Sequence, residues 1–134
     1  MKISYLLDTD WVIHYLNGHE KIIEKLKSSR EEGLAISVIS LAELYEGVYH
    51  SKDPDSNAQS LNDFLTDVSI LGIDEEVSKI FGKERGRLRK EKRLIGDFDL
   101  LIASTCLYYN LTLFTNNKKH YQLVKGLNFF SLLK

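Results

Sequence analysis

Several acidic side chains of this sequence stand beside apolar segments, in positions where they could hold a metal ion. Asp8 and Asp10 directly follow the apolar run at residues 3–7. Acids with similar surroundings occur later in the chain, at Glu43, Asp97 and Asp99. Mg2+ and Mn2+ prefer such hard oxygen ligands, and clustered carboxylates without a cation repel one another. The pattern is typical of a hydrolytic metal site, where the ion lowers the pKa of a bound water and stabilises a phosphoryl group.

Each acid also has a structural explanation when it is taken alone. Ser40 and Glu43 have the S-x-x-E spacing of a helix capping box. The acids that open the later helix would complement its dipole, and the Thr-Asn-Asn sequence at residues 115–117 is common in turns. Asp8 is harder to explain in this way, because a carboxylate against a buried strand is costly without a partner. No such explanation accounts for all of them meeting at one place.

Short strands that alternate with helices would bring these groups together. β-Prone runs occur at residues 3–7, 34–38, 69–73, 111–115 and 127–132. Between them, apolar residues recur at helical spacing, for example at Val77, Ile80, Phe81 and Leu88. Uniformly apolar strands alternating with helices predict an α/β fold of three layers, α/β/α, with a mainly parallel central sheet. Ligands of such sheets bind beyond the carboxyl ends of the strands, where the acids are expected.

The 134 residues are predicted to form a single domain, residues 1–134. The one cysteine, Cys106, has no partner for an internal disulfide, which favours a reducing cytoplasm. The first residues lack the long apolar segment of a signal peptide, and no run approaches the ~20 apolar residues of a membrane span. We therefore expect a cytoplasmic protein without membrane contact.

The charge is unevenly distributed, although the formal net charge is only -1. Residues 83–93 contain seven Lys or Arg and two Glu, a local charge of +5. A basic segment beside an acidic site favours contact with a polyanion such as RNA. The candidate residues for this contact are Arg85, Arg89, Lys92 and Arg93, which are expected on the helix before residues 94–99. A solvated helix face or pairing with an acidic partner protein are the alternatives.

The sequence as a whole resembles the PIN-domain ribonucleases and, among them, the VapC-type toxins of toxin-antitoxin pairs. The resemblance spans nearly the whole chain, in the blocks YLLDTDWVI, ISVISLAELYEGVYHS, GRLRKEKRLIGDFDLLIAST and LTLFTNNKKHYQLVKGLNFF. It implies a PIN-type α/β/α fold and an endoribonuclease that depends on Mg2+ or Mn2+. It also implies a small cognate antitoxin as partner, RNA as substrate, and a homodimer.

The resemblance also implies roles for individual residues. It assigns the catalytic positions to Asp8, Glu43, Asp99 and Asn117, the first three as metal ligands. Auxiliary roles fall on Asp97, on Thr115, whose hydroxyl would orient a carboxylate or a water, and on Asp10, which stands where the family commonly has Asn. The amide of Asn117 lowers the negative charge of the site, which leaves open whether one or two metal ions bind.

Two other functions are left open by the sequence. An acidic motif after a first strand also occurs in phosphatases of the haloacid dehalogenase type, in which Asp8 would be the nucleophile. Those enzymes place a Thr or Ser motif before their later acidic motif, whereas Thr115 follows Asp97 here. The other alternative is a catalytically inactive PIN-type domain that only binds, which the amide of Asn117 would suit.

The histidines and tyrosines are predicted to lie outside the site. The four histidines do not stand at ligand spacing from Cys or Asp, so they are interpreted as surface or packing residues. Tyr108, Tyr109 and Tyr121 are also predicted to pack, although tyrosines can stack on RNA bases.

Overall fold

The computed structural model describes residues 2–132 of the chain. Residues 1, 133 and 134 of the predicted domain lie outside the described part. Within it are five strands, seven α-helices and one 3-10 turn, Arg30–Glu32. The strands are β1 Tyr5–Leu7, β2 Leu34–Ser37, β3 Val68–Leu71, β4 Thr112–Phe114 and β5 Asn128–Phe130. The helices are α1 Thr9–Leu16, α2 Glu20–Ser29, α3 Val38–Tyr49, α4 Pro54–Leu65, α5 Glu75–Lys90, α6 Asp97–Tyr109 and α7 Lys118–Tyr121.

The five strands form one sheet in the order β3-β2-β1-β4-β5, and all four pairings are parallel. Leu6 of the central strand β1 pairs with Ala35 on one side and with Leu113 on the other. The chain therefore builds outward from β1 to β3 and then crosses to the opposite side for β4 and β5. This reversal is the switch point at which parallel sheets bind ligands, and it lies between β1 and β4.

The sheet is buried on both faces, because neighbouring residues of each strand point to opposite sides. Leu7 and Phe114 pack with Trp11 of α1, on the side of α1 to α4. Leu6 and Leu113 pack on the other side, with Leu100 and other residues of α6. Strands covered on both faces have no polar alternation, so the α/β/α prediction is confirmed. No helix within residues 2–132 is long and apolar enough to span a membrane.

The starts of two helices determine how acids enter the site. Ser37 is the N-cap of α3 and accepts a hydrogen bond from the Ile39 amide. The capping-box interpretation of Ser40 and Glu43 is therefore wrong, and Glu43 lies inside α3, where its side chain is available for another role. Helix α6 begins at Asp97, which places two acids in its first turn as expected.

Helix α5 holds the segment that follows α7 through a largely buried ion pair. The Arg87 guanidinium lies 2.6 Å from the Glu84 carboxylate and donates to the Leu123 carbonyl at 2.8 Å. The Lys125 amide donates to the same carboxylate at 2.8 Å. Arg87 and the other hydrogen-bond donors hold the pKa of Glu84 below its usual range. The turn after α7 is thus fixed by two contacts to α5.

Candidate active site

Asp8 lies at the switch point, directly after β1, and is only 6% exposed. Its backbone amide donates to the Phe114 carbonyl of β4 at 2.9 Å. Its carboxylate accepts from the Thr115 hydroxyl at 2.7 Å and from the Thr9 amide at 2.9 Å. The bond from Thr115 joins the ends of β1 and β4, so the two central strands fix the orientation of the Asp8 carboxylate.

Asp99 approaches Asp8 from the first turn of α6, and the hydroxyl of Tyr121 connects them. This hydroxyl lies 3.4 Å from Oδ1 of Asp8 and 3.3 Å from Oδ1 of Asp99. Burial, and then the charges of the two acids, raise the pKa of Tyr121 far above its ordinary value, so it stays a neutral donor. The prediction that Tyr121 packs is confirmed, since its ring is fully buried in the core, and its hydroxyl has a contact with the site as well. Its position gave no signal in the sequence, because its partners lie on distant segments.

Asn117 and His120 lie on the other side of Asp99. The amide nitrogen of Asn117 lies 3.4 Å from Oδ2 of Asp99 and 3.0 Å from Nδ1 of His120. Nδ1 of His120 is itself 3.5 Å from Oδ2 of Asp99. His120 is partly exposed, as predicted for a surface residue, and it also lies beside Asp99. Its position three residues after Asn117, on one face of a short helix, is the signal that could have indicated this contact. Asn116 points away and accepts from the Trp11 indole at 3.0 Å.

Glu43 reaches the site from α3 through Thr9. The Thr9 hydroxyl donates to Oε1 of Glu43 at 2.7 Å and lies 2.9 Å from the hydroxyl of Ser40. Since the Thr9 amide binds Asp8, one residue contacts both acids. Neither Thr9 nor Ser40 was predicted to have this role, although both are small hydroxyl residues beside a predicted acid.

The electrostatics of Asp8 and Asp10 show an excess of negative charge. Burial, and then the neighbouring charge of Asp10, raise the pKa of Asp8 to about 7. Burial is also the largest cause of the raised pKa of Asp10. Oδ1 of Asp10 is buried and has no hydrogen-bond partner within residues 2–132. Buried acceptors in native proteins nearly always have partners, so this atom indicates that the site suits a cation.

The donor set fits a hard divalent ion in its chemistry, since every candidate ligand is a carboxylate oxygen. Within the described residues, however, no three His, Cys, Asp or Glu side chains form a group that could hold an ion directly. The acids are linked through other groups instead: Thr9 binds Asp8 by its backbone amide and Glu43 by its hydroxyl, and the Tyr121 hydroxyl lies between Asp8 and Asp99. The structure therefore places Asp99 close to Asp8, whereas Glu43 is linked to Asp8 only through Thr9.

Asp97 takes a different direction from Asp99. Its carboxylate pairs with the Arg85 guanidinium at 2.6 Å, which fixes α6 to α5. The Arg85 side chain is only 12% exposed, and its Nε is buried without a hydrogen-bond partner among residues 2–132. Asp97, predicted as an auxiliary residue of the site, thus pairs with Arg85, predicted to contact RNA.

The three other basic candidates are exposed near the end of α5. Arg89 is in its last turn, whereas Lys92 and Arg93 lie beyond Lys90, where the helix ends. The expectation that Lys92 and Arg93 lie on the helix is therefore wrong, because both follow its end. Arg93 lies 3.4 Å from the carboxylate of Glu91.

Several known proteins are similar to this chain over most of its length. The family model described as PIN domain matches residues 5–126. The chain is 34% identical over 125 residues to Ribonuclease VapC2 of Rickettsia felis, covering 92% of this chain and 93% of that protein. It is 37% identical over 120 residues to Ribonuclease VapC1 of Methanocaldococcus jannaschii, covering 90% and 80%. The crystal structure of VapBC2 from Rickettsia felis, bound to a DNA fragment from their promoter, matches with a TM-score of 0.91 and 32% identity, covering 96% of this chain and 98% of that one.

Proposed function

The chain belongs to the PIN-domain family, and from this premise we propose that it is a metal-dependent endoribonuclease, the toxin of a toxin-antitoxin pair. Relatives named as VapC ribonucleases and a fold neighbour in a VapBC complex support the proposal. The observation that carries it is that Asp8, at the switch point of the sheet, lies across the Tyr121 hydroxyl from Asp99 and is followed by Thr9, whose hydroxyl binds Glu43.

We assign Asp8, Glu43 and Asp99 as the residues that hold Mg2+ or Mn2+. When bound, the ion supplies a water of lowered pKa and stabilises the charge that develops on the phosphoryl oxygens. Thr115 fixes the carboxylate of Asp8 by its hydrogen bond, and Thr9 fixes Glu43 in the same way. Asp10 contributes a further negative charge beside Asp8.

Asn117 completes the site as a hydrogen-bond donor to Asp99. In this orientation its amide nitrogen, rather than its oxygen, faces the carboxylate, so we assign it to positioning Asp99. The amide carries no charge, and the negative charge of the site therefore comes from the carboxylates.

RNA would meet both an acidic site and a basic segment. Carboxylates alone repel a phosphate backbone, and exposed Lys and Arg side chains attract it. We propose that Arg89, Lys92 and Arg93 make phosphate contacts, since all three are exposed. Arg85 acts indirectly, because its ion pair with Asp97 fixes the start of the helix that carries Asp99.

The proposed partner is a small cognate antitoxin that covers the site. A groove of about 270 Å3 lies between α1, α3 and α4, and its lining includes Glu43 together with Ile13, Leu16 and Val48. Ile13 is 44% exposed, so an apolar segment of the antitoxin could bury it while reaching Glu43. Toxins of this kind are further proposed to form a homodimer and to act in the cytoplasm, where RNA is available.

Cleavage of total RNA by the purified protein tests the proposal. We expect discrete cuts with Mn2+ or Mg2+ that disappear with EDTA and in the Asp8→Asn variant. Asp63→Asn, which removes the same charge at an exposed position of α4, is the matched control and should cut like the wild type. Mapping the new 5′ ends identifies the RNA that is cut.

The same experiment separates the two alternatives. Hydrolysis of a phosphomonoester without any cutting of RNA would support the phosphatase, which the family assignment already disfavours. Absence of both activities, with retained antitoxin binding, would support an inactive binding domain.

A further inference from the structure

We propose that the hydroxyl of Tyr121 is a positioning group, which holds the carboxylates of Asp8 and Asp99 near each other and so raises the affinity of the site for a divalent ion. This inference rests on the proposed function, because it takes the two acids as metal ligands. It adds a residue of this chain that the assignment of catalytic positions does not include.

The first argument is the geometry of the hydroxyl. It lies almost equally far from the two acids, at 3.4 Å from Asp8 and 3.3 Å from Asp99. A phenol carries one proton, so the two carboxylates share a single donor. Among the described residues, Tyr121 is the one whose side chain hydrogen-bonds to both acids.

The second argument is that the tyrosine ring cannot easily move. Tyr121 is completely buried, in the core cluster on the α6 side of the sheet. Its backbone is fixed at both ends, because its amide donates to Asn117 and its carbonyl accepts from Val124. The following turn is held on α5 by Arg87 and Glu84. A donor fixed in this way can hold the carboxylate of Asp99 near that of Asp8, which its own hydrogen bonds already orient.

The third argument is that packing alone does not require the hydroxyl. A phenylalanine ring would fill the same space in the core and would avoid burying a polar group, which is costly without a partner. Asp8 and Asp99 otherwise belong to separate elements, β1 and α6, and their like charges repel. The shared donor therefore opposes their separation. Groups that orient metal ligands from behind typically change metal affinity 10- to 100-fold when they are removed.

The test measures Mn2+ binding by Tyr121→Phe in the absence of RNA. The electron paramagnetic resonance signal of free Mn2+ reports how much of the ion is bound. We expect the dissociation constant to rise about 10-fold or more. The matched control is Tyr5→Phe. The Tyr5 hydroxyl also donates to a carboxylate, that of Glu32 at 2.9 Å. Tyr5 lies at the beginning of β1, whereas Asp8 follows the end of that strand. This control should bind Mn2+ like the wild type, and thermal unfolding in EDTA shows that both variants are folded.

A kinetic measurement separates positioning from a general structural role. Because the hydroxyl acts on metal affinity, Tyr121→Phe should recover the wild-type kcat for RNA at saturating Mn2+. A damaged fold would not recover in this way. Unchanged Mn2+ affinity in folded Tyr121→Phe would overturn the inference.

The outcomes also distinguish this inference from the proposed function. If Asp8→Asn abolishes Mn2+ binding and Tyr121→Phe does not weaken it, only the inference fails. If wild type and Asp8→Asn bind Mn2+ equally, or neither binds, both fail. If Tyr121→Phe does not fold, the near-ultraviolet difference spectrum of the wild type is measured with and without Mg2+. The inference predicts that Mg2+ binding changes the tyrosine absorption. Mg2+ binding without a change in tyrosine absorption would overturn it.

Discussion

Replacing Asp8 by Asn is expected to stabilise the metal-free protein at alkaline pH, although it abolishes activity. The fold raises the pKa of Asp8 from 3.8 to about 7. At 1.36 kcal/mol per pKa unit, ionised Asp8 therefore lowers the free energy of unfolding by roughly 4 kcal/mol above pH 7. Asn has one acceptor oxygen; if it keeps the bonds from Thr9 and Tyr121, it loses the bond from Thr115, which costs about 1–3 kcal/mol. A net gain of roughly 1–3 kcal/mol is left at pH 8.

The pH dependence of this gain is its specific signature. For a carboxyl group with a raised pKa in the folded state, the penalty is absent below pH 3.8 and grows until about pH 7. The stability difference between Asp8→Asn and the wild type should thus be smaller at pH 5 than at pH 8, by roughly 2–3 kcal/mol. Urea unfolding in EDTA at both pH values measures it, with Asp63→Asn as the control. Equal differences at the two pH values would refute the reasoning.

Three further outcomes are expected. Glu84→Gln should lower stability at pH 7 by roughly 1–3 kcal/mol. Because the pKa of Glu84 is depressed, its contribution exists above the ordinary Glu pKa and is lost as the pH falls through the folded value, so the difference between wild type and variant in urea unfolding should shrink as the pH is lowered into the acid range. Burial raises the pKa of the Cys106 thiol to about 12, so an alkylating reagent at pH 8 should label it only after unfolding, and rapid native labelling would contradict this. Arg89→Gln should raise the KM for RNA and reduce its salt dependence, whereas the exposed Lys27→Gln should change neither.

The sheet was predictable because the β-prone runs and their alternation with helical patterns both indicate the same parallel sheet. Each of the five β-prone runs contains or overlaps a strand, and the run at residues 3–7 became the central strand because its residues are buried on both faces. The acids that follow apolar runs could be located from that pattern alone. The four blocks of family resemblance then named the fold, which the PIN-domain match confirms.

The remaining features of the site depend on contacts between distant segments, which spacing does not reveal. The capping interpretation failed because Ser37 and Ser40 are both suitable caps, and the end of β2, paired with β3 up to Leu71, selects the first. Tyr121 and His120 were assigned to packing and the surface because their partner, Asp99, lies about 20 residues earlier.

The bond between the Thr115 hydroxyl and Asp8 has a consequence for protein synthesis. A ribosome makes Asp8 early, and the groups that orient it, Thr115 and Tyr121, are added 107 and 113 residues later. Since domains generally fold as units, the sheet of this domain is complete only once β4 and β5 are available. The orientation of Asp8 therefore depends on residues that the ribosome adds only near the end of synthesis.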